Sequence, residues 1–265
     1  MQLKIIHRTE YRYESPVRYS IQELRLSPIS TAGQEVEKWH IQTPIKANLA
    51  LDAFQNSCST FVQDNPYTSM IIEAAGIVKT SAAYEFQDAN KAVSPYYLLQ
   101  QTRLTEPTAE MLDFFATDLP RNNSPEAILN LASAVQQAIT YIPGSTNFAS
   151  LAAQSFAMKA GVCQDHSHIL LGLCRASHIP ARYVSGYFFT EDSPDLASHA
   201  WIDVCIDIEQ GKWLSVDTTH ACFSDARHIR LALGRDYYSA APVKGVRSGG
   251  GEEALTATIS IHQLS

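Results

Sequence analysis

Apolar and polar residues alternate from the start of the chain. Leu3, Ile5 and His7 stand against Lys4, Ile6 and Arg8, and Tyr11 and Tyr13 carry the same period of two onward. That period places one set on a single face of a strand. Pro16 interrupts the run, and a second one passes through Ile21, Leu24 and Leu26 to Pro28. Short runs at 39–41, 60–62, 70–73 and 76–78 add further strand candidates. Turn residues between them, at a spacing of about ten residues, predict a small β-sandwich or barrel.

From about residue 95 the apolar period lengthens. A short helix is expected over 108–116, between Pro107 and Pro120. A clearer one begins with Ser124 as N-cap, Pro125 in the first helical position and Glu126 in the first turn. Ile128, Leu131, Val135 and Ile139 then fall on one face, and Pro143-Gly144 is the expected stop. A helix over 150–160 should end at Gly161, and a fourth, from Cys163 to Ser177, should bury Ile169, Leu170, Leu173 and Cys174. Strands follow at 181–189, 199–208 and 213–217. Alternation returns at 256–261, behind a turn at Gly249-Gly250-Gly251. The order predicts an α+β protein, with an N-terminal β domain over 1–95 and a second domain over 96–265.

Composition narrows the function classes. The chain has 265 residues, 45% hydrophobic and 18% charged, which is a globular balance. A net charge of −7 argues against nucleic acid as a partner, because phosphate binding wants a basic face. The start, MQLKIIHRTEYRY, lacks the apolar core of a secretory signal, and no apolar run approaches the roughly 18 residues that span a bilayer. A cytoplasmic protein with no membrane partner is the expectation. Five cysteines at low density, without C-x-x-C spacing, form neither a disulfide framework nor a zinc finger.

One cysteine has a distinct setting. In Gly161-Val162-Cys163-Gln164-Asp165, Cys163 falls between a tight turn and a helix start. Free N–H groups and partial positive charge there stabilise a thiolate, and the same groups can receive an oxyanion. A thiolate enzyme also needs an imidazole and a group that orients it. His199 opens a strand at a loop edge, after a segment rich in Ser, Pro and Asp. Asp217 closes the next strand, 18 positions on (217 − 199). Adjacent antiparallel strands could bring the two together. By themselves, these spacings leave a catalytic and a purely structural reading open.

The residues also resemble a family. The block around Cys163, the run from Leu173 to Tyr187, His199-Ala200-Trp201-Ile202-Asp203-Val204 and Trp213-Leu214-Ser215-Val216-Asp217-Thr218-Thr219 look like the core of the bacterial transglutaminase-like superfamily, in its Cys, His, Asp order. Tyr11-Arg12-Tyr13-Glu14-Ser15-Pro16-Val17 and Arg25-Leu26-Ser27-Pro28 resemble its N-terminal β domain. Gly234-Arg235-Asp236-Tyr237-Tyr238 and Pro242-Val243-Lys244-Gly245-Val246 resemble its C-terminal segment. The resemblance implies a papain-like catalytic domain with Cys163 as nucleophile, His199 as base and Asp217 as its orienting group. It also implies acyl transfer or hydrolysis on peptide or amide bonds. Two positions depart from the family pattern: Thr218 stands where Pro usually follows the Asp, and His166, Ser167 and His168 stand where aromatic and small residues are usual.

No cofactor and no metal are expected, and the expected partner is a peptide or protein substrate. Protein cross-linking and a non-enzymatic peptide-binding module remain alternatives, as does homo-oligomerisation through the β domain. A metal hydrolase would draw on His166, His168, His199, His220 and His228, but residues two apart on a helix face different ways, which separates His166 from His168. For the second oxyanion donor, Gln154 and Asn147 are upstream candidates. Arg182, Trp201, Trp213 and Tyr187 are expected to be structural.

Overall fold

The computed structural model describes residues 1–88, 92–191 and 198–264. The segment rich in Ser, Pro and Asp ahead of His199 lies largely outside them. The molecule is built in three layers: helices, a central sheet and an outer sheet.

The outer sheet has seven strands, ordered Gln34–Gln42, Tyr67–Thr80, Gln2–Ser27, Ser57–Gln63 and Asn48–Leu51, with Val243–Gly249 and Glu253–Gln263 also paired to the first strand. The predicted alternation holds: Leu3, Ile5, His7 and Thr9 are buried on one face while Lys4 and Arg8 are exposed. Pro16 does not split the strand. It falls within the register shift between Arg12 and Val17 against Tyr67–Thr80 and just before the one between Val17 and Tyr19 against Val243–Gly249, where a missing N–H is tolerated. The runs at 70–73 and 76–78 likewise belong to one strand, Tyr67–Thr80. The chain's last strand pairs along the first, Leu3 with Gln263 through Tyr13 with Glu253.

The central sheet is ordered Cys222–Phe223, Lys212–Asp217, Ser198–Asp207, Ala181–Phe188 and His228–Gly234, with Glu85–Gln87 added beside Lys212–Asp217. All its pairings are antiparallel. On one face Ala200, Ile202, Val204, Leu214 and Val216 pack with Ile169, Leu170 and Leu173 of the helix Cys163–Ala176. On the other, Tyr187, Ile229 and Leu231 meet Leu3, Ile5 and Ile72 of the outer sheet. Burial on both faces explains why Ala181–Phe188 is buried throughout and shows no polar alternation. Gly186 is required here, since a Cβ would lie 2.2 Å from the Ile229 carbonyl oxygen and 2.6 Å from the Trp201 ring.

The helices Ala109–Phe114 and Pro125–Ala138 form as expected, and the Ser124 hydroxyl accepts from the Ala127 N–H at 3.2 Å. Two stops fall earlier than expected. Pro125–Ala138 ends before Pro143-Gly144, and Ala152–Met158 ends at Lys159, which adopts the left-handed conformation (φ 52°). In both places the chain enters a short parallel pairing, Thr140 with Ala160 and Tyr141 with Gly161. This pairing fixes the entry to Cys163.

Candidate active site

Cys163 is the first residue of its helix, after Val162 as N-cap, so its N–H lacks an intrahelical acceptor. The turn ahead of it is fixed by the buried Asp165 carboxylate, which accepts from the Val162 N–H at 2.8 Å, Thr146 Oγ1 at 2.6 Å and Ser155 Oγ at 2.6 Å. A Cβ on Gly161 would meet that side chain at 2.7 Å. The Ser167 hydroxyl donates to the Cys163 carbonyl at 2.8 Å. The thiol is half-buried at the helix tip. The other four cysteines are free thiols that burial pushes up, Cys58, Cys205 and Cys222 to about 11 and Cys174 to about 12.

His199 and Asp217 meet as the strand argument expects. Register pairs Ile202 with Val216 and Asp203 with Ser215, which leaves His199 diagonal to Asp217 on the same face. Their side chains hydrogen-bond at 2.7 Å, Nε2 to Oδ2. Cys163 lies near enough to act on the same imidazole, and with Nε2 bound to Asp217 the nitrogen left for it is Nδ1. Burial alone would lower the His199 pKa, but the Asp217 carboxylate, aided by Cys163, outweighs it and raises the value. The structure therefore brings together all three residues singled out in the sequence.

Asp217 has further partners. Asp217 Oδ2 also takes His220 Nδ1 at 2.6 Å and His228 Nε2 at 3.0 Å, while Oδ1 accepts the N–H groups of Thr219 (2.9 Å) and His220 (3.2 Å). Burial would raise its pKa, but the three imidazoles hold the carboxyl far below the ordinary range. The two backbone bonds hold the turn after Asp217 without the Pro that the family usually has, and Ala221 closes it at φ 49°. His228 is buried. Its Nδ1 lies 3.0 Å from the Asp225 N–H and 3.2 Å from Asp225 Oδ1, and burial, which would lower its pKa, is outweighed by the Asp217 and Asp225 carboxylates. Its ring packs near Phe188 and Trp201.

His166 and His168 do point apart. His166 lies within reach of Thr219 Oγ1 and the Ile139 carbonyl, both at 3.1 Å, whereas His168 Nε2 accepts the Tyr237 N–H at 3.1 Å. Both rings are buried. Among the described residues, the group that could hold a metal ion is His199, Asp217 and His228, with ligand atoms within 4.8 Å of one another. Those atoms already hydrogen-bond each other, so an ion would have to displace the protons that tie them. The Gln154 side-chain oxygen accepts the Leu151 N–H and the Asn147 side-chain oxygen accepts the Ala149 N–H, both at 2.9 Å. Arg182 pairs with Asp88 and Asp203, and Trp201, Trp213 and Tyr187 are buried, as expected of structural residues.

A helix-tip cysteine, an imidazole beside it and a carboxylate hydrogen-bonded to that imidazole thus stand together on a helix-and-sheet core. Residues 114–218 match the transglutaminase-like superfamily, and residues 3–79 match the bacterial transglutaminase-like N-terminal region. The chain belongs to this bacterial transglutaminase-like family, which supports a cysteine-dependent enzyme. A crystal structure described as a candidate cysteine protease from Cytophaga hutchinsonii shares the fold at a TM-score of 0.79 and 22% identity, covering 100% of this chain and 91% of that one. An uncharacterized protein of Mycobacterium leprae is 28% identical over 281 residues, 99% of each chain. Another, from Mycobacterium bovis, is 28% identical over 271 residues, 92% of this chain and 86% of its own. No helix among the described residues is long and apolar enough to cross a membrane.

Proposed function

We propose that the protein is a cysteine-dependent hydrolase of peptide or amide bonds, with Cys163 as nucleophile, His199 as general base and acid, and Asp217 as the group that orients His199. The observation that carries this is the imidazole held between Asp217 Oδ2, at 2.7 Å, and the thiol at the helix tip. The Cys163 thiolate attacks the substrate carbonyl and forms a carbon–sulfur bond, and the oxyanion is met by the Cys163 N–H. The His199 imidazolium gives its proton to the leaving amine as the carbon–nitrogen bond breaks, which leaves a thioester. Water, deprotonated by His199, releases the acid and restores the thiol. An amine in place of water would give a cross-link by the same steps.

The domain expected over 96–265 carries this chemistry, but its last two strands, Val243–Gly249 and Glu253–Gln263, join the strands of residues 1–80 in the outer sheet that supports it, and the substrate is a peptide or protein. Five cysteines without a disulfide fit a reducing, cytoplasmic compartment. The test is incubation with a peptide library and an amine probe, read by mass spectrometry, for the parent and Cys163→Ala. Turnover by the parent alone, blocked by iodoacetamide and untouched by chelator, is expected. Acid products indicate water as acceptor and amine adducts indicate cross-linking. Equal turnover by Cys163→Ala sinks the proposal, and loss with chelator alone would move it to the His199, Asp217 and His228 group.

A further inference from the structure

Beside the candidate site lies a trough whose floor is set by strand register. Tyr11 pairs with Leu255, Thr9 with Ala257 and His7 with Ile259. These are alternate positions on both strands, so all six side chains share one face of the outer sheet. They line a cavity of about 360 Å³. Its remaining wall comes from Tyr141, Tyr237, Pro242, Val243 and Ser198, the residue before His199. A second cavity, of about 540 Å³, continues it and shares Tyr11, Tyr237, Val243 and Leu255.

The near end lies beside the candidate site, since Tyr141 pairs with Gly161, two residues before Cys163, and Ser198 precedes His199. Burial raises the Tyr141 and Tyr237 phenols, and nearby Cys163 adds to each. Tyr141 also packs near the His166 ring at 6.2 Å. From His7 to Tyr11 an extended strand advances about 13 Å, the length of about four residues of extended peptide.

The far end is apolar and exposed. Leu255 is 55% exposed, Phe148 69% and Tyr238 62%, more than scattered surface residues require. Its rim carries Glu23 and Glu253 against Lys244 and Arg247. Both cations are engaged, Arg247 with Glu253 at 3.2 Å and Lys244 over the Tyr238 ring at 3.6 Å. Balanced and engaged charges select neither a phosphate nor a strongly charged peptide.

We propose that this trough binds the substrate as an extended peptide, taking its apolar and aromatic side chains onto the floor of Tyr11, Leu255 and Ala257 while the scissile carbonyl lies at Cys163. The proposal rests on Cys163 as nucleophile, so the test separates the two. Tetrapeptidyl acyloxymethyl ketones bearing Leu and Phe, or Ser and Gly, are compared as labels of Cys163 by intact mass. Iodoacetamide, too small to use the trough, is the control. The parent should react with the apolar probes at least about tenfold faster than with the polar ones. Leu255→Arg and Ala257→Arg change exposed strand positions and should remove most of that preference, leaving the iodoacetamide rate unchanged.

A parent without preference, or a preference that survives both substitutions, overturns the trough. A parent that iodoacetamide does not label at Cys163 overturns the nucleophile instead, and the trough with it. A parent dimer that Leu255→Arg splits would assign the surface to a second copy and also overturn it.

Discussion

Replacing Asp217 by Asn tests the orientation of His199 with little change of shape. The Thr219 and His220 N–H groups need an acceptor at the Oδ1 position, so the Asn carbonyl oxygen stays there and its NH₂ takes the place of Oδ2. An NH₂ group only donates. His199 must then offer Nε2 as acceptor and carry its proton on Nδ1, toward Cys163, where it cannot take the thiol's proton. The carboxylate bond being lost is charge-assisted and buried, with side-chain exposures of 6% and 0% for His199 and Asp217, so solvent screening hardly weakens it. Such a bond is worth about 1.5–3 kcal/mol, which corresponds to roughly 10- to 150-fold in rate.

With the carboxylate gone, burial prevails and the His199 pKa falls below its usual value rather than above it. In the parent, the raised His199 contributes stability that is full below its unfolded pKa and is lost as pH rises through the raised value. The depressed Asp217 contributes above its own unfolded pKa and loses that only as pH falls far below it. The stability gap between parent and Asp217→Asn should therefore be widest in mild acid, between the unfolded values of the two groups, and narrower in alkali. Iodoacetamide alkylation of Cys163, followed by intact mass at pH 5–9 and paired with urea unfolding, reads both effects. A variant that keeps the parent's alkylation rate at pH 6, while folded, would refute the orienting role.

His228→Gln keeps an N–H near the position of Nε2 and should alkylate Cys163 within about threefold of the parent. His228→Ala removes the ring that packs near Phe188 and Trp201 and should cost about 2–4 kcal/mol in urea unfolding, with slower alkylation. Equal behaviour of the two would show that the imidazole bond to Asp217 has no role. Cys174→Ala, within the helix core, should cost about 1 kcal/mol through a small cavity and leave the Cys163 alkylation rate unchanged.

The residues that converge were legible because each sits at an element boundary that local chemistry announces. Gly161 and the helix start frame Cys163, a loop edge precedes His199 and a strand end carries Asp217. What local chemistry does not announce is long-range pairing. His228 begins a strand, His228–Gly234, whose apolar residues are buried against both neighbouring layers, so it lacks the period of two that marks a half-exposed strand. Its contact with Asp217 appears only once that strand is laid beside Ala181–Phe188. Pro16 misled for a related reason, since a register shift absorbs it. The last strand shows the same limit most clearly. Alternation at 256–261 announced a strand but not its partner. Leu255 and Ala257 reach Tyr11 and Thr9 across more than 240 positions of sequence, a loop whose closure depends on the whole core between them being folded. The trough beside Cys163 thus exists only in the completed fold, and a chain cut before residue 253 would keep the Cys163 helix, His199 and Asp217 but lose one side of that floor.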